Sequence, residues 1–126
     1  MNKLHFKLHL SAQSIMDYAN SIEAPLQKID DMLIAPTTMP VTFWQIAKAP
    51  WLSMDESLIH GMQQFHYEAP LMAEMDLDCE LALSKVETKV GRQGELTLYT
   101  HTLTCTCEGN LIVTAVTTLI LVGDSV

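Results

Sequence analysis

The first residues of the chain alternate strictly between apolar and polar side chains. In residues 3–10, apolar residues occupy one set of alternate positions, and lysines and histidines occupy the other. This period of two predicts a β-strand with one buried face. Ser11 then follows as a favourable helix N-cap, and apolar residues recur at helical spacing before Pro25. The pattern therefore predicts a strand and then a helix that the proline stops.

A second helical pattern, at residues 37–48, is apolar on nearly every side. Its apolar residues are Met39, Val41, Phe43, Trp44, Ile46 and Ala47. Pro40 falls in the first turn, where a helix tolerates proline. A helix that is apolar all round is buried rather than amphipathic. We therefore predict a central buried helix, and no aspartate or glutamate occurs between Met32 and Met54 to give it a carboxylate.

The second half of the chain has the alternation of antiparallel strands. A short strand is expected at residues 61–67, and long strands are expected at residues 75–90, 95–107 and 111–122. The alternation slips near Ser84 and Lys85, which indicates a β-bulge. Turns that contain glycine separate the long strands. The last strand is apolar on both faces, which is typical of a central position in a sheet.

Long bulged strands can curl around one buried helix. We therefore predict an α+β protein with the hotdog fold, in which a bent antiparallel sheet wraps around a central apolar helix. The 126 residues contain no repeat and no linker, so residues 1–126 should form a single domain.

The composition excludes several classes of function. Apolar residues make up 48% of the chain and charged residues 17%, which excludes a disordered protein. The net charge is −8, and the seven lysines and arginines are scattered. A nucleic-acid binder or a protein of anionic membrane surfaces needs clustered cations, so neither role is expected. We see no signal peptide or membrane span. Three cysteines, an odd number, indicate reduced thiols in a cytoplasmic protein.

Three segments carry a resemblance to a known family. They are DYANSIEAP (residues 17–25), LIAPTTMP (residues 33–40) and LIHGMQQFHYEAPLMAEMDL (residues 58–77). Together they resemble the N-terminal hotdog half of MaoC-like dehydratases and hydratases. The resemblance implies an acyl thioester as ligand, carried on coenzyme A or on acyl carrier protein. It also implies a homodimer, or a heterodimer with a catalytic hotdog subunit, because sites in that family form between two hotdog units.

The chain departs from that family where the chemistry would take place. The catalytic half carries a Gly-Asp-x-Asn-Pro-x-His run after its first helix, whose His and Asp handle the α-proton and the water of an enoyl thioester. Residues 21–28 stand at that place here and contain no histidine and no Gly-Asp pair, and Glu23 is their only carboxylate. The usual Gly-Asp turn before the long strand is replaced by Glu74-Met75. We therefore expect an accessory, non-catalytic subunit of an enoyl hydratase or 3-hydroxyacyl dehydratase.

Candidate site residues follow from the residue pattern and from the family resemblance. Asp55 and His60 match the Asp-to-His spacing of the catalytic run, but the Gly, Asn and Pro are absent, and the pair follows the predicted central helix. A surface aspartate and a histidine at the start of a strand are the simpler explanation of both residues, and only geometry can test the catalytic one. The substrate-binding candidates are Met39, Phe43, Trp44, His60, Gly61, Gln63 and Phe65. The first three form part of the core in the simpler interpretation.

No metal or cofactor is expected. On a straight strand His60 and His66 would lie about 20 Å apart, too far to share an ion. The other three histidines, His5, His9 and His101, lie on polar or mixed strand faces, and we expect them to be solvated. Cys105 and Cys107 lack the partner motif of a zinc site.

Two alternative functions stay open. One is a non-enzymatic acyl-binding or structural homodimer. The other is an acyl-CoA thioesterase, a class that generally places a carboxylate on or beside the central helix. Gln45 is the polar side chain at that place here, and an amide cannot act as a base.

Overall fold

Seven strands and three short helical segments make up the part of the chain that the structure describes. The structure is a computed structural model, and it describes residues 2–52, 58–92 and 94–122. The elements are β1 (Lys3–Leu10), α1 (Ala12–Ser21), β2 (Gln27–Ile29), β3 (Met32–Ile34), a 3₁₀ helix (Met39–Phe43), α2 (Trp44–Ala47), β4 (Leu58–Tyr67), β5 (Met75–Gly91), β6 (Gly94–Cys107) and β7 (Asn110–Val122).

The large sheet is antiparallel throughout and has the strand order β1-β5-β6-β7-β4. The apolar last strand, β7, lies between β6 and β4, so the prediction that it is internal is confirmed. The β5–β6 register shifts between Leu83 and Lys85, which confirms the predicted bulge. Glu108 and Gly109 join β6 to β7 with φ angles of 51° and 81°, the backbone of a tight two-residue hairpin turn.

The N-terminal elements form for the reasons that the sequence indicates. The Ser11 side chain accepts a hydrogen bond from the Ser14 backbone N–H at 3.1 Å, and this bond caps α1. Helix α1 ends at Ser21, before Pro25. A small hairpin, β2–β3, follows. It turns at Asp30 and Asp31, whose φ angles are 50° and 65°.

A row of opposed residues shows where the core lies. Directly opposed residues of an antiparallel sheet point to the same side. One such row crosses all five strands and consists of Leu4, Leu81, Leu103, Ala115 and Phe65. Its members are all buried or half-buried, and they belong to or pack against a single core cluster.

The helical segments pack on this inner face of the sheet. Ile15 of α1 belongs to the same core cluster, as do Met39 and Phe43 of the 3₁₀ helix. A bent antiparallel sheet with helical segments on its inner face is the predicted α+β hotdog architecture, which is confirmed.

The predicted continuous central helix at residues 37–48 is wrong in its form. The structure has a five-residue 3₁₀ helix and then a single α-helical turn, Trp44–Ala47. Pro40 has no N–H to donate, and the Thr42 hydroxyl donates to the Met39 carbonyl at 2.9 Å, a local bond that competes with regular α-helix. Lys48 ends the turn in the left-handed conformation, with φ 48°. Ile46 is 47% exposed, so the segment is not buried on all sides.

Two other features bear on the sequence predictions. Strand β4 starts at Leu58, three residues before the predicted start. Its register shifts between His60 and Met62. A Cβ on Gly61 would lie 2.5 Å from Ile120 Cδ1, so glycine permits this close approach.

All three cysteines are free thiols, and Cys79 and Cys105 lie opposite each other with their sulfurs 3.6 Å apart. Within the described ranges, no helix is long and apolar enough to cross a membrane.

Candidate functional site

A cleft lies between two of the segments that carry the family resemblance, residues 33–40 and residues 58–77. It has a volume of about 440 Å³ and is lined by Ile34, Ala35, Thr37, Tyr67, Glu68, Ala69, Pro70 and Leu71. Backbone hydrogen bonds hold the two walls together. The Ala35 N–H donates to the Leu71 carbonyl at 2.8 Å, and the Ala73 N–H donates to the Leu33 carbonyl at 2.9 Å. We call this site the Tyr67 cleft.

A tyrosine fixes the wall of the Tyr67 cleft that leads into the 3₁₀ helix. The Tyr67 hydroxyl donates to the Thr37 carbonyl at 2.6 Å. A second tyrosine, Tyr18 of α1, shares a hydrogen bond of 2.7 Å with the Thr38 hydroxyl. Burial raises the pKa of Tyr67 well above its usual range. Tyr67 is therefore a neutral hydrogen-bond donor at neutral pH, and its proton is already engaged.

The walls of the Tyr67 cleft are mostly apolar. Its lining is aliphatic except for Thr37, Tyr67 and Glu68. The Glu68 side chain is about half exposed and accepts from His66 Nε2 at 2.9 Å. Apolar walls with a few polar groups suit a ligand that has an extended apolar part.

A smaller cleft is lined by residues of α1 and of the β2–β3 hairpin. Its volume is about 330 Å³, and its lining includes Ala12 and Met16 of α1 and Lys28 and Asp31 of the hairpin. We call it the Met16 cleft. It provides a comparison site for the Tyr67 cleft.

The predicted substrate-binding residues divide into three groups. Met39 and Phe43 are buried in the core, and Trp44 and Phe65 are half-buried against it. The structure therefore brings these four side chains into one apolar cluster. Their role in substrate binding stays a prediction.

The remaining predicted site residues lie on or before the edge strand β4. His60 and Gly61 are exposed, and Gln63 is half-buried. The Gln63 amide oxygen accepts from the Thr117 hydroxyl at 2.6 Å. Asp55 lies outside the described residues, so its distance to His60 is not described. In the described part of the chain, no three His, Cys, Asp or Glu side chains are grouped to hold a metal ion.

The prediction that His101 is solvated is wrong. His101 is fully buried, and Trp51 Nε1 donates to its Nε2 at 2.9 Å. The Trp51 ring stacks on the imidazole with centroids 6.0 Å apart, and the Trp44 ring meets it edge-on at 4.7 Å. Burial lowers the pKa of His101. The strand pattern around residue 101 resembles a polar face, and the tryptophans that cover the ring come from a distant part of the sequence.

The stretch that would carry the catalytic run is short and exposed. Residues 21–28 contain the end of α1 and the start of β2. Glu23 is exposed and has a φ angle of 56°. Glu74, at the altered turn, accepts from the Ala12 N–H at 3.1 Å and from His9 Nε2 at 2.8 Å. Its carboxylate therefore holds β1 and α1 in place.

Sequence reasoning missed the Tyr67 cleft as a site. Thr37 and Tyr67 belong to two of the segments that carry the family resemblance, but thirty residues separate them in the chain. Their hydrogen bond is a tertiary contact that neither segment's pattern reveals. The signal available there was the pair of aromatic residues near the end of β4, Phe65 and Tyr67.

Comparison with known proteins gives consistent results. The family model described as "FAS1-like, dehydratase domain region" matches residues 5–115. A UPF0336 protein of Thermobifida fusca (strain YX) is 32% identical over 99 residues, which are 74% of this chain and 63% of that protein. The chain therefore spans less than two thirds of the length of this relative.

Two solved structures show the same fold. A chain of the HadBC complex, a (3R)-hydroxyacyl-ACP dehydratase from Mycobacterium tuberculosis, has a TM-score of 0.78 at 17% identity, over 94% of this chain and 93% of that chain. The MaoC-like dehydratase from Rhodospirillum rubrum has a TM-score of 0.66 at 9% identity, over 99% of this chain and 93% of that chain. At these identities the likeness concerns the fold alone.

Proposed function

Because the chain belongs to the FAS1-like dehydratase-region family of MaoC-like hotdog proteins, we propose that it binds an acyl thioester. It does so as a non-catalytic subunit of an enoyl hydratase or 3-hydroxyacyl dehydratase. The observation that carries this proposal is the Tyr67 cleft, which combines an aliphatic lining with a fixed polar wall at Thr37.

The size of the Tyr67 cleft supports an acyl ligand. Its volume of about 440 Å³ lies within the range of small-molecule sites, roughly 300–1,000 Å³. Each methylene group that leaves water for such a cleft stabilises the complex by about 0.8 kcal/mol. Longer acyl chains should therefore bind more tightly until the cleft is full. The predicted substrate-binding residues Met39, Phe43, Trp44, His60, Gly61, Gln63 and Phe65 are not among those that line this cleft, so their role in binding stays a separate prediction.

The non-catalytic role rests on the residues that are present at the catalytic place. Residues 21–28 offer one carboxylate, Glu23, and no histidine. Acid–base catalysis of hydration needs a group at hydrogen-bond distance from the proton that it moves. Tyr67, the hydroxyl of the cleft, already donates to Thr37. We therefore assign chemistry to a partner subunit that carries the complete Asp and His motif.

The partner should pair along β4. This ten-residue strand is at an edge of the large sheet, and its Ile59 and Met62 are 54% and 51% exposed. Exposed sheet edges favour strand pairing with another chain. We propose a homodimer or a heterodimer with a catalytic hotdog subunit, with an interface above about 1,000 Å². A monomer in light scattering at micromolar concentration, with the partner supplied, would contradict this.

The free thiols fit a reducing compartment such as the cytoplasm.

Thermal-shift titration with acyl-CoAs of increasing chain length tests the binding proposal. The melting temperature should rise with chain length and then level off. Ala69→Leu, which narrows the Tyr67 cleft, should reduce the shift for the longest chains. The matched control is Ala12→Leu in the Met16 cleft, which should leave the shift unchanged. A flat response of the unmodified protein to every thioester would favour the structural homodimer and remove the acyl-binding proposal.

Activity assays separate the remaining alternatives. The protein alone should hydrate crotonyl-CoA no faster than background. Turnover that disappears in His60→Ala and in Asp55→Ala would instead make this pair the catalytic site. Release of free coenzyme A from acyl-CoA at a rate above background would favour the thioesterase.

A further inference from the structure

His101 has a buried ring nitrogen that needs a hydrogen-bond acceptor. The side chain is fully buried, and its Nε2 accepts from Trp51 Nε1 at 2.9 Å. Because an indole N–H can only donate, the neutral imidazole must carry its proton on Nδ1. Among the residues that the structure describes, this Nδ1 has no hydrogen-bond partner. Buried polar groups nearly always have a partner, so the donor at Nδ1 indicates an acceptor other than these residues.

A hydroxyl group lies on the neighbouring strand, opposite His101. Thr117 of β7 pairs with His101 of β6 in the sheet register, and directly opposed residues point to the same side with their Cβ atoms about 5 Å apart. Thr117 is also buried, with 3% of its surface exposed. Its hydroxyl proton is already engaged, because it donates to Gln63 Oε1 at 2.6 Å. The Thr117 oxygen can therefore only accept a further hydrogen bond.

A third polar group lies beside the imidazole. Burial lowers the pKa of His101, and the Tyr99 backbone carbonyl opposes this effect, which places that carbonyl near the ring. The carbonyl does not complete a hydrogen bond to Nδ1, and neither does Thr117. One donor, the Nδ1–H, and two acceptors therefore surround the same short interval. Water molecules buried in proteins typically make about three hydrogen bonds, so one oxygen atom at this place could satisfy all three groups.

The directions of these hydrogen bonds select the chemical class of the occupant. It must accept from His101 and donate to Thr117, and a second proton would reach the Tyr99 carbonyl. A carboxylate or a halide has no proton to donate, and an ammonium ion has no lone pair to accept with. Burial also disfavours any ion that has no counter-charge. The occupant is therefore a neutral hydroxylic molecule, and water is the smallest member of that class.

We infer that the inner face of the sheet contains a binding site for one buried water molecule, held by His101, Thr117 and the Tyr99 carbonyl. The water completes a directional chain of hydrogen bonds that begins at Trp51 and ends at Gln63. Because Trp51 fixes the proton on Nδ1, the water must donate to Thr117, and Thr117 must donate onward. The Gln63 amide therefore turns its oxygen towards Thr117 and its NH₂ group away from it. Trp51 and His101 are thus positioning residues for the Gln63 amide on the edge strand β4.

A high-resolution crystal structure and NMR spectra of the imidazole nitrogens test the inference on the unmodified protein. The electron density should show one oxygen atom within about 2.5–3.2 Å of both His101 Nδ1 and Thr117 Oγ1. Long-range nitrogen–proton correlation spectra should show a protonated Nδ1 and an unprotonated Nε2. A direct bond from Nδ1 to the Tyr99 carbonyl or to another protein group would overturn the inference. A proton on Nε2, or an interval without density, would overturn it as well.

Substitutions at the two ends of the site give a second readout. Thr117→Val keeps a branched side chain but removes the acceptor, so the oxygen density should be lost and the Nδ1 proton should exchange faster with solvent. Thr117→Ser should restore both. Trp51→Phe removes the donor that fixes the ring, so His101 should populate both neutral tautomers. The control is Thr118→Val, because the Thr118 hydroxyl contacts Thr100 instead, and it should leave the His101 spectrum unchanged. Equal spectra in Thr117→Val and Thr118→Val would contradict the inference.

Discussion

Acidification should destabilise the protein through His101. Trp51 Nε1 can only donate a hydrogen bond, so the His101 Nε2 that receives it must be unprotonated. Protonation would place two donors against each other in a fully buried position. Burial accordingly lowers the pKa of His101. The unfolded chain therefore binds a proton at His101 more readily than the folded protein does.

The sign and size of the effect follow from this difference. An unfolded histidine titrates near pH 6.5. Because the folded pKa is lower, the free energy of unfolding should fall as the pH drops below about 6.5, and it should not change on this account above that pH. The loss at pH 5.5 is at most about 1.4 kcal/mol, the value for one proton over one pH unit.

Urea unfolding at pH 7.5, 6.5 and 5.5 measures the effect. The two tryptophans of the chain both contact His101, so their fluorescence reports on this cluster directly. His101→Gln should lower stability by about 1–3 kcal/mol at pH 7.5, and it should remove the extra loss between pH 6.5 and 5.5. His60→Gln, an exposed histidine change on β4, is the control. An equal acid loss in the unmodified protein and in His101→Gln would refute the reasoning.

Two further predictions concern the packing of α1 and the ion pairs of β1. In urea titration, Ile15→Ala should lower the free energy of unfolding by about 2–4 kcal/mol, because Ile15 is fully buried. The control is Ile22→Ala at the end of the same helix. Ile22 is 46% exposed, so this change should lower the free energy of unfolding by less than about 0.5 kcal/mol. The hydrogen bonds from Asp76 and Glu74 raise the pKa of His9, so its stabilisation is lost as the pH rises above 6.5. By NMR titration Asp76→Asn should lower that pKa, and Glu74→Gln should lower it less, while an unchanged value in both variants would contradict the proposed pairing.

Much of the fold could be predicted from local pattern. Three features each depend on only a few consecutive residues. They are the period-two alternation of β1, the Ser11 cap and the slip in alternation at Lys85. Their physical causes, a half-buried strand face, an unpaired helix N–H and an extra strand residue, are local as well. The candidate site was less predictable. Met39, Phe43, Trp44 and Phe65 lie in or against the core, but their role in binding stays a prediction. The Tyr67 cleft depends on backbone bonds between distant segments.

The sequence by itself determined the five strands of the large sheet, their order along the chain, the family and the scarcity of cations, because these depend on residue type and short-range periodicity. Tertiary structure decided three other features. It broke the segment after Thr38 into a 3₁₀ helix and one α-helical turn. It buried His101 beneath two tryptophans, and it joined Thr37 to Tyr67. Each of these depends on groups that lie far apart in the chain, or on competition between local bonds and packing, and periodicity contains no information about either.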